Sequence, residues 1–162
     1  MALTLAVDYG VKRIGFAVGD ELTRVATPLP PESAAGSPVK DAGIVLGRAY
    51  EYGAAIIVVG LPLNMDGTEG RQAKLTRTFA KALESRFEGT VALIDERLSS
   101  RGADELLRQS DLSRDKRKQR RDSVAAMIIL QAYLDQCRSD SADEDSIASD
   151  DLLDYPDTTV DD

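Results

Sequence analysis

The sequence predicts one α/β domain: a mixed sheet, antiparallel at its start and parallel after it, flanked by helices. Three features carry that expectation. Short β-compatible runs follow one another closely near the start. A strand-helix-strand alternation follows from about residue 54. At 162 residues there is chain enough for a single well-buried core and little reason to expect a second.

Leu3 to Val7, Arg13 to Val18 and Val25 to Leu29 read as three strands. Corners at Asp8-Tyr9-Gly10 and Gly19-Asp20 suit turns between them, which suggests an antiparallel meander. Pro30 to Pro38 reads as a loop, followed by a helix from about Val39 to Tyr52 that Gly43 and Gly47 weaken. Ala54 to Val59 is a continuous aliphatic run ended by Gly60-Leu61-Pro62, as in a strand buried on both faces.

Leu61 to Gly70 is turn-rich, and Ala73, Phe79, Ala80 and Leu83 then mark a helical stripe that Gly89 closes. Val91 to Asp95 returns as a strand, and Ser99 or Ser100 could cap a helix reaching about Gln109. This alternation implies parallel pairing with right-handed crossovers. After a polar, basic stretch from Ser110 to Arg121, Asp122 is expected to open a helix that is apolar on nearly every side from Val124 to Leu130.

Charge divides the chain. The net charge is −8, yet all 20 Lys and Arg precede residue 139, and with 18 acids there they leave this part near +2. The other 10 acids fall in residues 139–162. Residues 1–138 are therefore expected to form the folded domain, and 139–162 a disordered acidic tail. That tail either solubilises the protein or folds back on the basic stretch as an electrostatic gate.

Composition also narrows the chemistry. With no His, the usual general base, the usual zinc ligand and Ser-His or Cys-His nucleophiles are excluded. Cys137 is the sole cysteine, so no intramolecular disulfide or Cys-rich zinc site can form. No segment has the apolar length of a membrane span and no leader pattern is apparent, so a cytoplasmic protein with no membrane partner is expected.

Carboxylates are left to do the work. Asp8 ends the first strand, where α/β proteins tend to place ligands, although an Asp before Tyr-Gly also suits a plain turn. Asp95 and Glu96 end another strand and should point to opposite faces. Glu96 is the better partner for Asp8, with Asp95 as its substitute and Arg97 as a pairing cation. Asp122 heads a helical face with Ala125, Ala126, Ile129 and Tyr133, or is only a capping acid.

Three carboxylates at one point repel by about 4 kcal/mol per pair at 4 Å and an effective dielectric of 20. Such a cluster needs cations, and hard oxygen donors select Mg²⁺ or Mn²⁺, in a pair of ions able to support phosphodiester cleavage. Arg114, Lys116, Arg117, Lys118, Arg120 and Arg121 crowd immediately before Asp122. They form a solvated basic face or a track for nucleic-acid phosphates. Lys12, Arg13, Asn64 and Arg97 are further candidates for nucleic-acid contact.

Four blocks carry a resemblance to a known family: Asp8-Tyr9-Gly10 through Arg13-Ile14-Gly15 and Ala17-Val18; Val59-Gly60-Leu61-Pro62-Leu63-Asn64-Met65-Asp66-Gly67-Thr68-Glu69; Asp95-Glu96-Arg97-Leu98-Ser99; and Asp122-Ser123-Val124-Ala125-Ala126. The chain resembles the YqgF family, also called RuvX, of pre-16S rRNA processing nucleases and Holliday junction resolvase-like proteins. The likeness spans Leu3 to Leu134, with Arg120-Arg121 where the family usually has Lys-Val.

The resemblance implies an RNase H-like fold, with Asp8, Glu96 and Asp122 at the family's acidic motif positions and the Gly60 to Glu69 loop beside the substrate. The implied substrate is the 5′ end of precursor 16S rRNA, or alternatively branched DNA, which a homodimer would cut. A nucleotide-binding phosphotransfer protein of the actin and sugar-kinase type is a remoter alternative, with Asp8-Tyr9-Gly10 and Gly15 facing phosphates.

Overall fold

The computed structural model describes residues 3–98 and 114–150, with side chains described for most of 3–97 and 121–138. Five strands, β1 (Leu3–Tyr9), β2 (Arg13–Asp20), β3 (Thr27–Ser33), β4 (Ile56–Leu61) and β5 (Thr90–Asp95), form one sheet in the order β3-β2-β1-β4-β5. The first three pair antiparallel, while β4 runs parallel to both β1 and β5. The expected mixed sheet is thus present.

Helices α1 (Pro38–Tyr52) and α2 (Arg71–Arg86) cover one face of the sheet and α3 (Arg114–Asp150) the other. Strand alternation divides the core between them. Leu5, Val7, Phe16, Ile57 and Val59 face α1 and α2 with Val45, Leu46, Phe79 and Leu83. Ala6, Ala17, Val58 and Ile94 face Ala126, Ile129, Leu130 and Leu134 of α3. Small residues dominate the sheet on the second side, so α3 packs close to it.

Strand β3 starts at Thr27 and runs through Pro30 and Pro31, where a loop was expected. It is an edge strand, where a missing N–H is tolerated. Its ladder is also interrupted there: Ile14 pairs with Glu32 and Phe16 with Leu29, so the bulge falls at the two prolines. Gly43 and Gly47 do not break α1. Ser37 caps it through Lys40 N at 3.2 Å, Gly53 ends it at φ 66°, and Ala42, Val45, Leu46 and Ala49 bury its inner face. Packing outweighs the propensity cost.

Two expectations about the last helix need correcting. Asp122 does not open it: α3 begins at Arg114, so much of the basic stretch is already helical. Lys, Arg and Gln are good helix formers, and a nucleated helix propagates cheaply. The helix also continues to Asp150, twelve residues into the acidic stretch. At about 1.5 Å per residue, Asp140 lies roughly 28 Å along the axis from Arg121. Residues 139–150 therefore cannot fold back on the basic run while α3 is intact. The helix expected between Ser99 or Ser100 and Gln109 lies outside the described residues, as do residues 151–162.

Among the described residues, no helix is long and apolar enough to cross a membrane.

Candidate active site

The carboxyl ends of the parallel strands β1, β4 and β5 meet at one edge of the sheet, and the strand register sets what lies there. Asp8 sits opposite Gly15 of β2. On its other side, Val7 pairs with Val59, which puts Gly60 beside Asp8. Gly60 in turn pairs with Ile94 and Leu61 with Asp95, so Glu96 follows immediately beyond β5 in a single 3-10 turn, Glu96–Leu98. Asp8, Gly15, Gly60 and Glu96 share the face covered by α3.

Two glycines let the elements that carry Asp122 and Glu96 approach the end of β1. A side chain at Gly15 would run into the main-chain carbonyl of Asp122. A methyl group at position 60 would lie 2.5 Å from Glu96 Oε1 and 2.6 Å from Ile129 Cδ1. Gly15 therefore admits the backbone of α3 on one side of Asp8, and Gly60 admits the Glu96 carboxylate on the other. Glycine inside a strand signals a close approach of this kind, which is the mark that sequence reasoning passed over.

Ser123, also passed over, fixes the height of α3. Its buried hydroxyl donates a 2.6 Å hydrogen bond to the Leu29 carbonyl of β3. Its place in the Asp122-Ser123-Val124-Ala125-Ala126 block was the one sequence signal that could have found it.

Asp8 and Glu96 interact directly. Burial, then the charge and hydrogen bond of Glu96, then Asp122 push the Asp8 carboxyl from its ordinary 3.8 up to about 8. Burial also raises Glu96, with Asp95 adding to the effect, while the proton donated by Asp8 opposes it. The third acid, Asp122, has Arg13 Nε 3.3 Å from its Oδ2. Among the described residues, no three acids already close around a single point as a finished ion cage. Asp8 and Glu96 form a pair, and Asp122 is held beside them by Arg13.

This donor set fits a divalent cation. Two half-buried carboxylates side by side, with a third within electrostatic reach, present hard oxygen ligands whose repulsion a cation would relieve. No His or Cys competes for the ion.

Asp95, as strand alternation predicts, points away from Glu96. Arg97 holds it through Nε at 2.9 Å and Nη2 at 2.7 Å, and this keeps the Asp95 carboxyl below its usual range. The same guanidinium donates to the Met65 carbonyl at 3.4 Å. Arg97 thus ties the Leu61 to Gly70 loop to the end of β5. Within that loop, Asn64 Nδ2 donates to Thr68 Oγ1 at 3.0 Å, Thr68 bonds Asp66, and Gly67 turns at φ 86°. Asn64 is exposed, and its described hydrogen bonds organise the loop.

Lys12 and Arg121 are exposed near this edge, one just before β2 and one just before Asp122. For Arg114, Lys116, Arg117, Lys118 and Arg120 the helical backbone is described, and their side chains lie outside the described residues.

The family profile described as RuvX, Holliday junction resolvase, matches residues 2–136. A relative from Methylobacillus flagellatus, named as a pre-16S rRNA nuclease, is 44% identical over 131 residues, covering 81% of this chain and 89% of its own. One of the same name from Chloroflexus aurantiacus is 42% identical over 143 residues, covering 85% and 89%. Another from Geobacillus kaustophilus is 44% identical over 137 residues, covering 83% and 99%.

Among solved structures, Thermus thermophilus RuvC in complex with a Holliday junction substrate superposes with a TM-score of 0.52 at 14% identity, over 83% of this chain and 96% of that one. What is shared at that identity is the RNase H-like fold. With the profile spanning most of the sequence and relatives above 40% identity over four-fifths of it, the chain belongs to the RuvX family.

Proposed function

We propose that this protein is a nuclease that hydrolyses phosphodiester bonds in structured nucleic acid, and that its task is to process the 5′ end of pre-16S rRNA in the cytoplasm. The observation that carries the reading is the Asp8–Glu96 pair at one sheet edge, with Asp122 brought to the same edge by the close approach of α3 at Gly15. The relatives named as pre-16S rRNA nucleases support the choice of substrate.

Asp8, Glu96 and Asp122 would hold Mg²⁺ or Mn²⁺, most simply as two ions. When bound, such ions activate a water and stabilise the leaving oxygen of an in-line displacement. The chain's own residues do the rest. Asp8 and Glu96 would serve as ligands in their ionised form. Arg97 fixes the loop beside the site. Lys12, Arg121 and the basic start of α3 would bind phosphates along the strand without reading sequence.

Residues 1–138 are the catalytic body in this reading, in line with a family match that ends at residue 136. The acidic stretch after it lies outside the catalytic body.

A second reading is resolution of four-way DNA junctions, favoured by the description of the family. It requires a homodimer, because two symmetric strands are cut together. Incubating the protein with a precursor 16S rRNA 5′ end and, separately, with a four-way junction in Mg²⁺ separates the two. Cleavage of the rRNA with an intact junction supports the first, and symmetric junction cleavage with untouched rRNA replaces it by the second.

A further inference from the structure

Arg13 does something other than wait for substrate. It is the first residue of β2, two positions before the glycine that receives the α3 backbone, and its Nε lies 3.3 Å from Asp122 Oδ2. Both side chains are half-buried, at 29% and 25% exposure. The three acids are therefore not equivalent toward an incoming cation. Asp8 and Glu96 face each other on one side of the site, whereas Asp122 already has a fixed positive charge at contact distance.

We propose that Arg13 is a positioning residue that acts as a built-in counter-cation for Asp122 and so sets the order in which the site takes up metal. This rests on the metal-dependent reading above. The first ion would be held by Asp8 and Glu96. A second ion that uses Asp122 has to displace the guanidinium, so it binds more weakly than the first. Once displaced, Arg13 is a free fork of donors at the same edge of the sheet, matched to a phosphodiester oxygen. A nucleic-acid phosphate stabilises the displaced guanidinium and thereby favours the second ion.

The test is a Mn²⁺ titration of the full chain without nucleic acid, with free ion counted by electron paramagnetic resonance. The parent is expected to bind one ion and a second at least tenfold more weakly. Arg13→Gln should tighten the second ion at least tenfold and leave the first within about threefold. Arg13→Lys, which keeps a charge near Asp122, should stay close to the parent. Lys12→Gln removes a neighbouring positive charge that has no described contact with Asp122, and should change the second site less than threefold.

Equal gains from Arg13→Gln and Lys12→Gln would reduce the effect to general electrostatics and overturn the proposal. So would two ions of equal affinity in the parent, or no change in Arg13→Gln. A parent that binds no Mn²⁺ at all would overturn the metal-dependent reading itself, and this inference with it. Circular dichroism of each variant before titration, compared with the parent, confirms that the counts refer to folded protein.

Discussion

The main-chain carbonyl of Asp122 occupies the space that a side chain at Gly15 would need. Because Gly15 is also the register partner of Asp8, this one contact brings Asp122 to the end of the strand that carries Asp8. It predicts an asymmetry between the two glycines. Gly15→Ala has backbone in its way and must lift α3, at a cost of about 1–3 kcal/mol, with loss of cleavage. Gly60→Ala meets the end of the Glu96 side chain and Ile129 Cδ1, which can turn aside. It should fold with a smaller loss of stability and still lose most activity, as urea unfolding and a cleavage assay on the two variants will report.

Ser123→Ala removes the hydroxyl that bonds the Leu29 carbonyl at 2.6 Å and leaves that acceptor buried. A loss of about 1–2 kcal/mol is expected. The single turn containing Asp122 should loosen with it, seen as faster amide hydrogen exchange around residues 121–126. An unchanged melting temperature would mean that this bond does not hold α3 on the sheet.

The proton shared by Asp8 and Glu96 gives a signed pH dependence. The Asp8 carboxyl rises from 3.8 to about 8 on folding, so the native state binds more protons than the unfolded chain between those values. Stability of the metal-free protein must then fall as pH rises through that window. Asp8→Asn removes the penalty. In chelator, its melting temperature should exceed that of the parent by a margin that grows from pH 5 to pH 8. Adding Mg²⁺ should raise the parent and leave Asp8→Asn nearly unmoved.

Arg97→Ala cuts the link from Asp95 to the Met65 carbonyl. The pair is substantially exposed, so global stability should change by less than about 1 kcal/mol. The Leu61 to Gly70 loop should become the preferred site of limited proteolysis, and KM for nucleic acid should rise more than kcat falls. A fall in kcat alone would place Arg97 in the chemistry.

The fold was legible where hydrophobic pattern alone decides it: the meander, the aliphatic β4 and the parity that sends Asp95 and Glu96 to opposite faces. It was less legible where tertiary context overrides local preference. Pro30 and Pro31 read as a loop, because edge position and a bulge are properties of the sheet. Asp122 read as a helix start, because its apolar stripe begins there, whereas a helix of charged residues precedes it. The acids of the site could be named individually from strand ends and a helix face. Their relative placement could not, since it depends on Gly15 and Gly60 lying on either side of Asp8, and register between strands is not written in any one segment. The ion pair of Arg13 with Asp122 joins residues over a hundred positions apart and has no local signature.

The central claim is that Asp8 belongs to a metal-dependent phosphodiester-cleaving site. The direct measurement is the rate at which parent and Asp8→Asn, both shown to be folded, process a labelled precursor 16S rRNA 5′ end with Mg²⁺ and with chelator. The parent should cleave only with Mg²⁺, and Asp8→Asn should be slower by at least about 100-fold, beyond the loss typical of an outer-shell partner. Cleavage by Asp8→Asn as fast as the parent, or full activity of the parent in chelator, would contradict it.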